Sequence, residues 1–95
     1  MFSEDDVSSA YQTLMINLGH TYRKLKKLKE GLEVYMKFYN INSKDIDALN
    51  GIGFILSLIG KFNYALDYFH QANFIQSNEN FSITMINKCI NEINY

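Results

Sequence analysis

Three features of the sequence are candidates for a chemical site. They are two histidines, one cysteine and a pair of glycines in one segment. Neither His20 nor His70 has a cysteine or carboxylate at metal-ligand spacing, so the histidines do not indicate a zinc site. Cys89 has no base near it in the sequence, which favours a small core residue over a nucleophile. Gly51 and Gly53 lie within a predicted helix rather than after a strand, where a phosphate-binding loop would begin. The sequence therefore predicts no catalytic residue, no metal, no cofactor and no enzyme activity.

Composition and charge narrow the class of protein further. The chain has 95 residues, which is the size of a single domain. Its 9 Lys and Arg residues against 10 Asp and Glu residues give a net charge of −1, which argues against a nucleic-acid binder because such proteins need many phosphate contacts. A single cysteine, an acidic N-terminus and the lack of a long apolar run predict a cytoplasmic protein without a membrane span.

The basic residues are unevenly spread, with a run of them between Arg23 and Lys29. Two interpretations of this run remain open. It is either a solvated turn between two helices or a surface that contacts an acidic partner or a phosphate group. His20, just before the run, is likewise either a residue of a binding groove or a solvated surface residue.

A repeat with a period of 34 residues organises the chain. Few of the aligned residues are identical, but their size classes agree at the positions that a packed helical hairpin needs. Such a period indicates one supersecondary unit that stacks on its neighbour. The aligned pairs include Met15 with Leu49, Leu18 with Ile52, Gly19 with Gly53, Leu28 with Phe62, Tyr35 with Phe69, and Ile41 with Ile75.

Apolar residues recur at three- and four-residue steps in five segments, which predicts five helices and an all-α fold. Ser3 is the predicted N-cap of the first helix, and Ser43 or Asp45 that of the third. Gly60 is the predicted end of the third helix. In the first helix the apolar positions include Tyr11, Leu14, Met15, Leu18 and Leu25, and in the fifth they are Ile83, Ile86, Ile90 and Ile93.

The 34-residue unit resembles the tetratricopeptide repeat. The residues of the second unit that match the family's pattern are Leu49, Ile52, Gly53, Leu56, Gly60, Phe62, Ala65, Leu66, Phe69, Ala72 and Ile75. In the first unit Gly31 and Phe38 replace the usual alanines, from which we expect a wider or irregular hairpin. The resemblance implies a single domain over residues 1–95, with repeats at about 12–45 and 46–79 and a capping helix at about 80–94.

In a tetratricopeptide stack the first helix of each hairpin lines a concave groove, and the resemblance places a partner-binding surface there. Ile16 and Phe54 stand where the family's carboxylate clamp needs polar groups, so the clamp function does not carry over. Phe54 and Leu58 are either exposed groove residues that receive an amphipathic helix or core residues covered by a neighbouring helix. The predicted partner-binding residues are Ile16, His20, Arg23, Asn50, Phe54, Ser57, Leu58 and Phe81.

The chain resembles the small chaperones of bacterial type III secretion that serve the needle subunit. It shares their length, their number of repeats and an apolar groove. That resemblance implies a cytoplasmic virulence chaperone that holds an amphipathic helix of a secreted subunit and prevents its premature polymerisation. It also implies a second small helical co-chaperone as a partner. Two alternatives stay open: a general tetratricopeptide adaptor or scaffold for protein–protein interaction, and a regulatory domain that binds a peptide.

Overall fold

The computed structural model of the chain describes residues 4–78 and 80–94, with side chains described from residue 8 onward. Helices account for nearly all of this part of the chain, which contains no strand. They are α1 (Glu4–Lys24), α2 (Leu28–Ile41), α3 (Ile46–Leu58), α4 (Phe62–Ile75) and α5 (Asn80–Ile93). The predicted all-α fold with five helices is confirmed, whereas the predicted cap Ser3 lies outside the described residues. None of the described helices is long and apolar enough to cross a membrane.

The turns of the two hairpins share one geometry. Lys26, just after α1, has a φ of 64°, and Gly60, just after α3, has a φ of 85°. The two residues occupy the same position of the 34-residue repeat. Glycine adopts this left-handed conformation without strain, whereas lysine has a Cβ that disfavours it. Between the hairpins, α3 is capped by Asp45, one of the two predicted caps, which accepts a hydrogen bond of 3.0 Å from the backbone N–H of Ala48.

Glycines of the first helices let aromatic rings of the second helices approach closely. Tyr35 of α2 lies between Gly19 of α1 and Gly51 of α3, and a Cβ at either glycine would stand 2.6 Å from the tyrosine ring. Gly53 of α3 faces the ring of Phe69 of α4, where a Cβ would stand 2.8 Å away. Both rings are fully buried. In each hairpin, a glycine that faces a buried aromatic ring therefore lets the helices pack closely.

The expectation of a wider first hairpin is wrong at Gly31. A Cβ at this position would lie 3.2 Å from Cδ1 of Ile55 and 3.4 Å from Cβ of Tyr22, so glycine allows a closer approach than alanine would. Phe38 is also accommodated, because it forms a small buried cluster with Met15 and Ala48.

The apolar stripe of α1 is only partly in the core. Met15 is buried, but four of its neighbours in the stripe are exposed. Because α1 is the first helix of the stack, α2 and α3 cover only part of its circumference. The exposed members are Tyr11, Leu14 and Leu18 in α1, together with Leu25 just after the helix ends, at 55%, 68%, 44% and 61% exposure.

The isoleucine stripe of α5 is also split between core and surface. Ile86 is buried, whereas Ile83, Ile90 and Ile93 are about 40% exposed. The helix turns a different face to its neighbours, and that face is made of Ser82, Met85, Ile86 and Cys89. Cys89 is a fully buried core residue, as the sequence predicts. Both ends of the stack therefore present apolar side chains to solvent.

Candidate functional site

The first helices of the successive repeat units are α1, α3 and α5. They bring three of the predicted partner-binding residues into one row. The guanidinium carbon of Arg23 lies 5.1 Å from the centroid of the Phe54 ring, close enough for a cation–π interaction. The Phe54 and Phe81 rings are 6.1 Å apart between centroids, and Phe81 also meets the buried ring of Phe69 at 6.0 Å. We call Arg23, Phe54 and Phe81 the first-helix row.

The sequence left open whether Phe54 and Leu58 are groove residues or core residues, and their exposure in the structure decides between the two. Phe54 is half-buried: it packs against the main core on one side and lies below Arg23 on the other. Leu58, one helical turn further along α3, is 49% exposed. Neither residue is a fully covered core residue, so each has surface that a partner could contact.

Asn50 of α3 is held to α5 rather than pointing freely into a groove. The hydroxyl of Ser82 donates a hydrogen bond of 2.9 Å to Oδ1 of Asn50, and Ser82 is completely buried. A buried hydroxyl without a partner would cost about 1–3 kcal/mol, so this bond stabilises the junction of the second hairpin with α5. The sequence pattern did not indicate that Ser82 is buried, because serine is mostly an exposed residue.

His20 of α1 is joined to the fully buried Tyr35 of α2. Burial lowers the pKa of His20 below its usual value, and burial raises the pKa of Tyr35 to about 12. The imidazole is therefore neutral and the phenol protonated near neutral pH, which allows the tyrosine hydroxyl to donate a hydrogen bond to Nδ1 of His20. His20 is half-buried and fixes the hydroxyl of a core tyrosine, a role that the sequence analysis did not assign.

The remaining two predicted residues, Ile16 and Ser57, make contacts inside the fold. Ile16 is half-buried and packs against both core clusters. The Ser57 hydroxyl donates a hydrogen bond of 2.7 Å to the backbone carbonyl of Phe54, within its own helix. The structure thus brings Arg23, Phe54 and Phe81 together at the surface, whereas Ile16 packs against the core and Asn50 is bonded to Ser82.

The side chains of the row are suited to binding rather than to reaction. Its members offer an aromatic face, an apolar edge and one cation, which is a combination typical of protein interfaces. Among the residues that the structure describes, no group of three or more His, Cys, Asp and Glu side chains is placed to hold a metal ion.

Comparison with known proteins identifies relatives of one kind. No protein-family profile matches the chain. It is 39% identical over 80 residues to the human Cell division cycle protein 16 homolog, covering 84% of the chain and 13% of that protein. It is 28% identical over 81 residues to Anaphase-promoting complex subunit 6 of Dictyostelium discoideum, covering 85% of the chain and 9% of that protein. Over 90 residues it is 28% identical to Anaphase-promoting complex subunit CDC16 of Saccharomyces cerevisiae, covering 95% of the chain and 11% of that protein.

These relatives correct the functional resemblance that the sequence suggested. The chain matches cell-division proteins of eukaryotes, so the interpretation as a virulence chaperone of bacterial type III secretion is wrong. The predicted partners that depended on this interpretation, a secreted subunit and a co-chaperone, are therefore wrong as well. The relatives are tetratricopeptide-repeat proteins, and the chain spans 13% or less of the length of those named here. From its fold and its relatives, the chain is a tetratricopeptide-repeat protein similar to a part of Cell division cycle protein 16.

Proposed function

We propose that the chain is a non-catalytic scaffold module that holds a protein partner within a multi-subunit assembly. The observation that carries the proposal is the first-helix row, in which Arg23, Phe54 and Phe81 are fixed across three helices. The names of two relatives, which are subunits of the anaphase-promoting complex, support that complex as the assembly. We propose that this chain also acts in that complex.

The chemistry of the row defines the partner segment. Phe81 and Leu58 are 38% and 49% exposed, so they offer apolar surface to side chains of the partner. Arg23 is half-buried over the Phe54 ring, and a carboxylate of the partner placed beside it would gain a charge-assisted hydrogen bond. A partner segment with two apolar side chains and one neighbouring acidic residue fits this surface best.

The row is prepared for binding before a partner arrives. Phe54 is held by the core on one side, Ser57 is bonded to its carbonyl, and Asn50 ties α3 to α5. Little side-chain entropy is lost when such residues are covered, so more of the contact energy appears as affinity. The exposed apolar residues at both ends of the stack also favour a scaffold role, since further protein can pack on them.

We expect a double substitution, with one change in the row and one beside it, to abolish partner binding. Arg23→Glu with Leu58→Asp places negative charge and a polar group where the partner's carboxylate and apolar side chains would lie. Losing one central interface contact costs about 2 kcal/mol, which is roughly 30-fold in affinity. The measurement is the amount of anaphase-promoting complex subunits that co-purify with the tagged chain from its own cells, quantified by mass spectrometry.

The matched control is Lys44→Glu with Phe74→Asp. It makes the same changes of charge and polarity at an exposed lysine and a 90% exposed phenylalanine that lie away from the row. We expect the control to co-purify the same subunits as the unaltered chain, with both variants equally helical by circular dichroism. Recovery of no complex subunits with the unaltered chain, or equal losses from both variants, would overturn the proposal.

A further inference from the structure

A second apolar groove lies between α2 and α4, over α3, and the first-helix row does not include it. It consists of two adjoining cavities that share Leu32 as a wall. The larger, of about 360 Å³, is lined by Leu32, Met36, Ile52, Leu56, Lys61, Tyr64 and Tyr68. The smaller, of about 190 Å³, is lined by Leu28, Lys29, Leu32, Ile55 and Ile59.

The walls of this groove are fixed by contacts between the two helices that flank it. The Tyr68 hydroxyl of α4 contacts Sδ of Met36 of α2 at 3.8 Å, and the Tyr68 ring meets Tyr39 of α2 edge-on at 5.8 Å between centroids. The floor belongs to the core, since Ile52 and Ile55 are at most 1% exposed. The groove is therefore a standing feature of the hairpin packing and does not need to open before it is occupied.

The charged residues that line the groove are all positive. Lys29 and Lys61 are the charged residues that line it, and both are exposed. Within the part of the chain that the structure describes, neither ammonium forms an ion pair. The acidic side chains on the flanking helices, Glu30, Glu33 and Asp67, are exposed and do not line the groove.

The basic run of the sequence adjoins this groove. Lys29 belongs both to the run from Arg23 and to the lining of the smaller cavity, and Lys26 and Lys27 occupy the turn just before α2. Lys61 lies just before α4, at the repeat position that Lys27 occupies just before α2. One end of the groove therefore lies beside a concentration of positive charge, which attracts an acidic partner and speeds its association.

We propose that the groove between α2 and α4 binds a short acidic segment of a partner protein through two apolar side chains and flanking carboxylates. The apolar side chains would fill the two cavities, and the carboxylates would pair with Lys29 and Lys61. From Leu28 to Met36 the groove follows α2 for about 12 Å at 1.5 Å per residue. That length accommodates about two turns of a helix or about four extended residues. The proposal concerns a surface separate from the first-helix row, so either can fail without the other.

The test selects ligands without assuming a sequence. A phage-displayed pool of random short peptides is selected on the immobilised chain, and the selected peptides are labelled and measured by fluorescence anisotropy. We expect a class of peptides with net negative charge and at least two apolar residues. Lys29→Glu with Lys61→Glu replaces two attractions by two repulsions, and exposed ion pairs contribute about 0.2–1 kcal/mol each, so we expect roughly tenfold weaker binding or more.

Two further variants separate docking from general charge attraction. Lys44→Glu with Lys88→Glu changes the net charge by the same amount at exposed positions outside the groove, and it should bind the acidic peptides as the unaltered chain does. Tyr64→Ala removes a 64% exposed wall of the larger cavity and should weaken them although no charge changes. The proposal is wrong if no selected peptide distinguishes the two double variants, if the peptides that do are not acidic, or if Tyr64→Ala has no effect on them. It is also wrong if the acidic peptides lose binding to Arg23→Glu alone, because they would then occupy the first-helix row.

Discussion

Replacing Phe69 with alanine is expected to lower the free energy of unfolding by about 3–5 kcal/mol. Phe69 is fully buried, with its ring against Gly53 of the adjacent helix and 6.0 Å from Phe81. Removing it costs the transfer free energy of the ring and leaves a cavity that two packed helices cannot close. A domain of this size has a total stability of about 5–15 kcal/mol, so much of it would be lost. Urea unfolding followed by circular dichroism measures the change.

Phe74 on the same helix provides the matched control for Phe69. It is 90% exposed, so Phe74→Ala should change the free energy of unfolding by no more than about 0.5 kcal/mol. Both substitutions remove the same atoms from α4, and their difference isolates burial from helix propensity. Equal effects of the two substitutions would show that Phe69 is not packed between α3, α4 and α5 as described.

The substitution Gly51→Ala is expected to destabilise the protein, against the trend for helices. Alanine in place of glycine within a helix ordinarily stabilises it by about 1 kcal/mol. Here the new Cβ would stand 2.6 Å from the ring of Tyr35, and that ring also packs against Gly19, where a Cβ would be equally close. Overpacking of this kind costs about 1–3 kcal/mol, which outweighs the gain in helix propensity, so we expect a net loss of up to about 2 kcal/mol in urea unfolding.

A second substitution distinguishes the clash at Gly51 from other causes. In a Tyr35→Leu background the ring is gone, so Gly51→Ala should become neutral or stabilising, as helix propensity alone predicts. The difference between the two backgrounds is the coupling energy of the pair, which we expect to be about 1–3 kcal/mol. If Gly51→Ala has the same effect in both backgrounds, Tyr35 is not the residue that requires a glycine there.

The residues that define the repeat were sufficient to predict the fold. The aligned glycines and aromatic residues, such as Gly19 with Tyr35 and Gly53 with Phe69, meet in the structure because a hairpin can close only when a large side chain faces a small one. Helix ends followed equally local rules, as at Asp45 and Gly60. Lys26 departs from these rules, since no propensity predicts a left-handed lysine, and only the repeat period places it at the position of Gly60.

The details of the surface were less predictable because they depend on which neighbours cover each helix. Leu14 and Leu18 have the spacing of a buried stripe, yet they are exposed because α1 has a packed neighbour on part of its circumference only. Ser82 is buried although serine is usually exposed, because Asn50 of another helix supplies its hydrogen bond. Periodicity reports that a face is apolar, but not which element covers it.

The function was mistaken for a related reason. The positions that a tetratricopeptide stack needs for packing are shared by proteins with very different partners, so length and repeat number do not identify an assembly. The missing clamp residues at Ile16 and Phe54 excluded one ligand but selected no other. Similarity along 80 residues to a cell-division protein carries information that the packing pattern lacks.

Site-specific photo-crosslinking tests most directly whether the first helices hold a partner. Benzoylphenylalanine is introduced in place of Leu58, beside the first-helix row, or in place of Phe74, which is exposed on α4, and the assembly is irradiated in cells. If the proposed function is correct, the probe at position 58 crosslinks to a subunit of the anaphase-promoting complex, and the probe at position 74 gives little of that product. Crosslinks from position 74 with none from position 58 would contradict it.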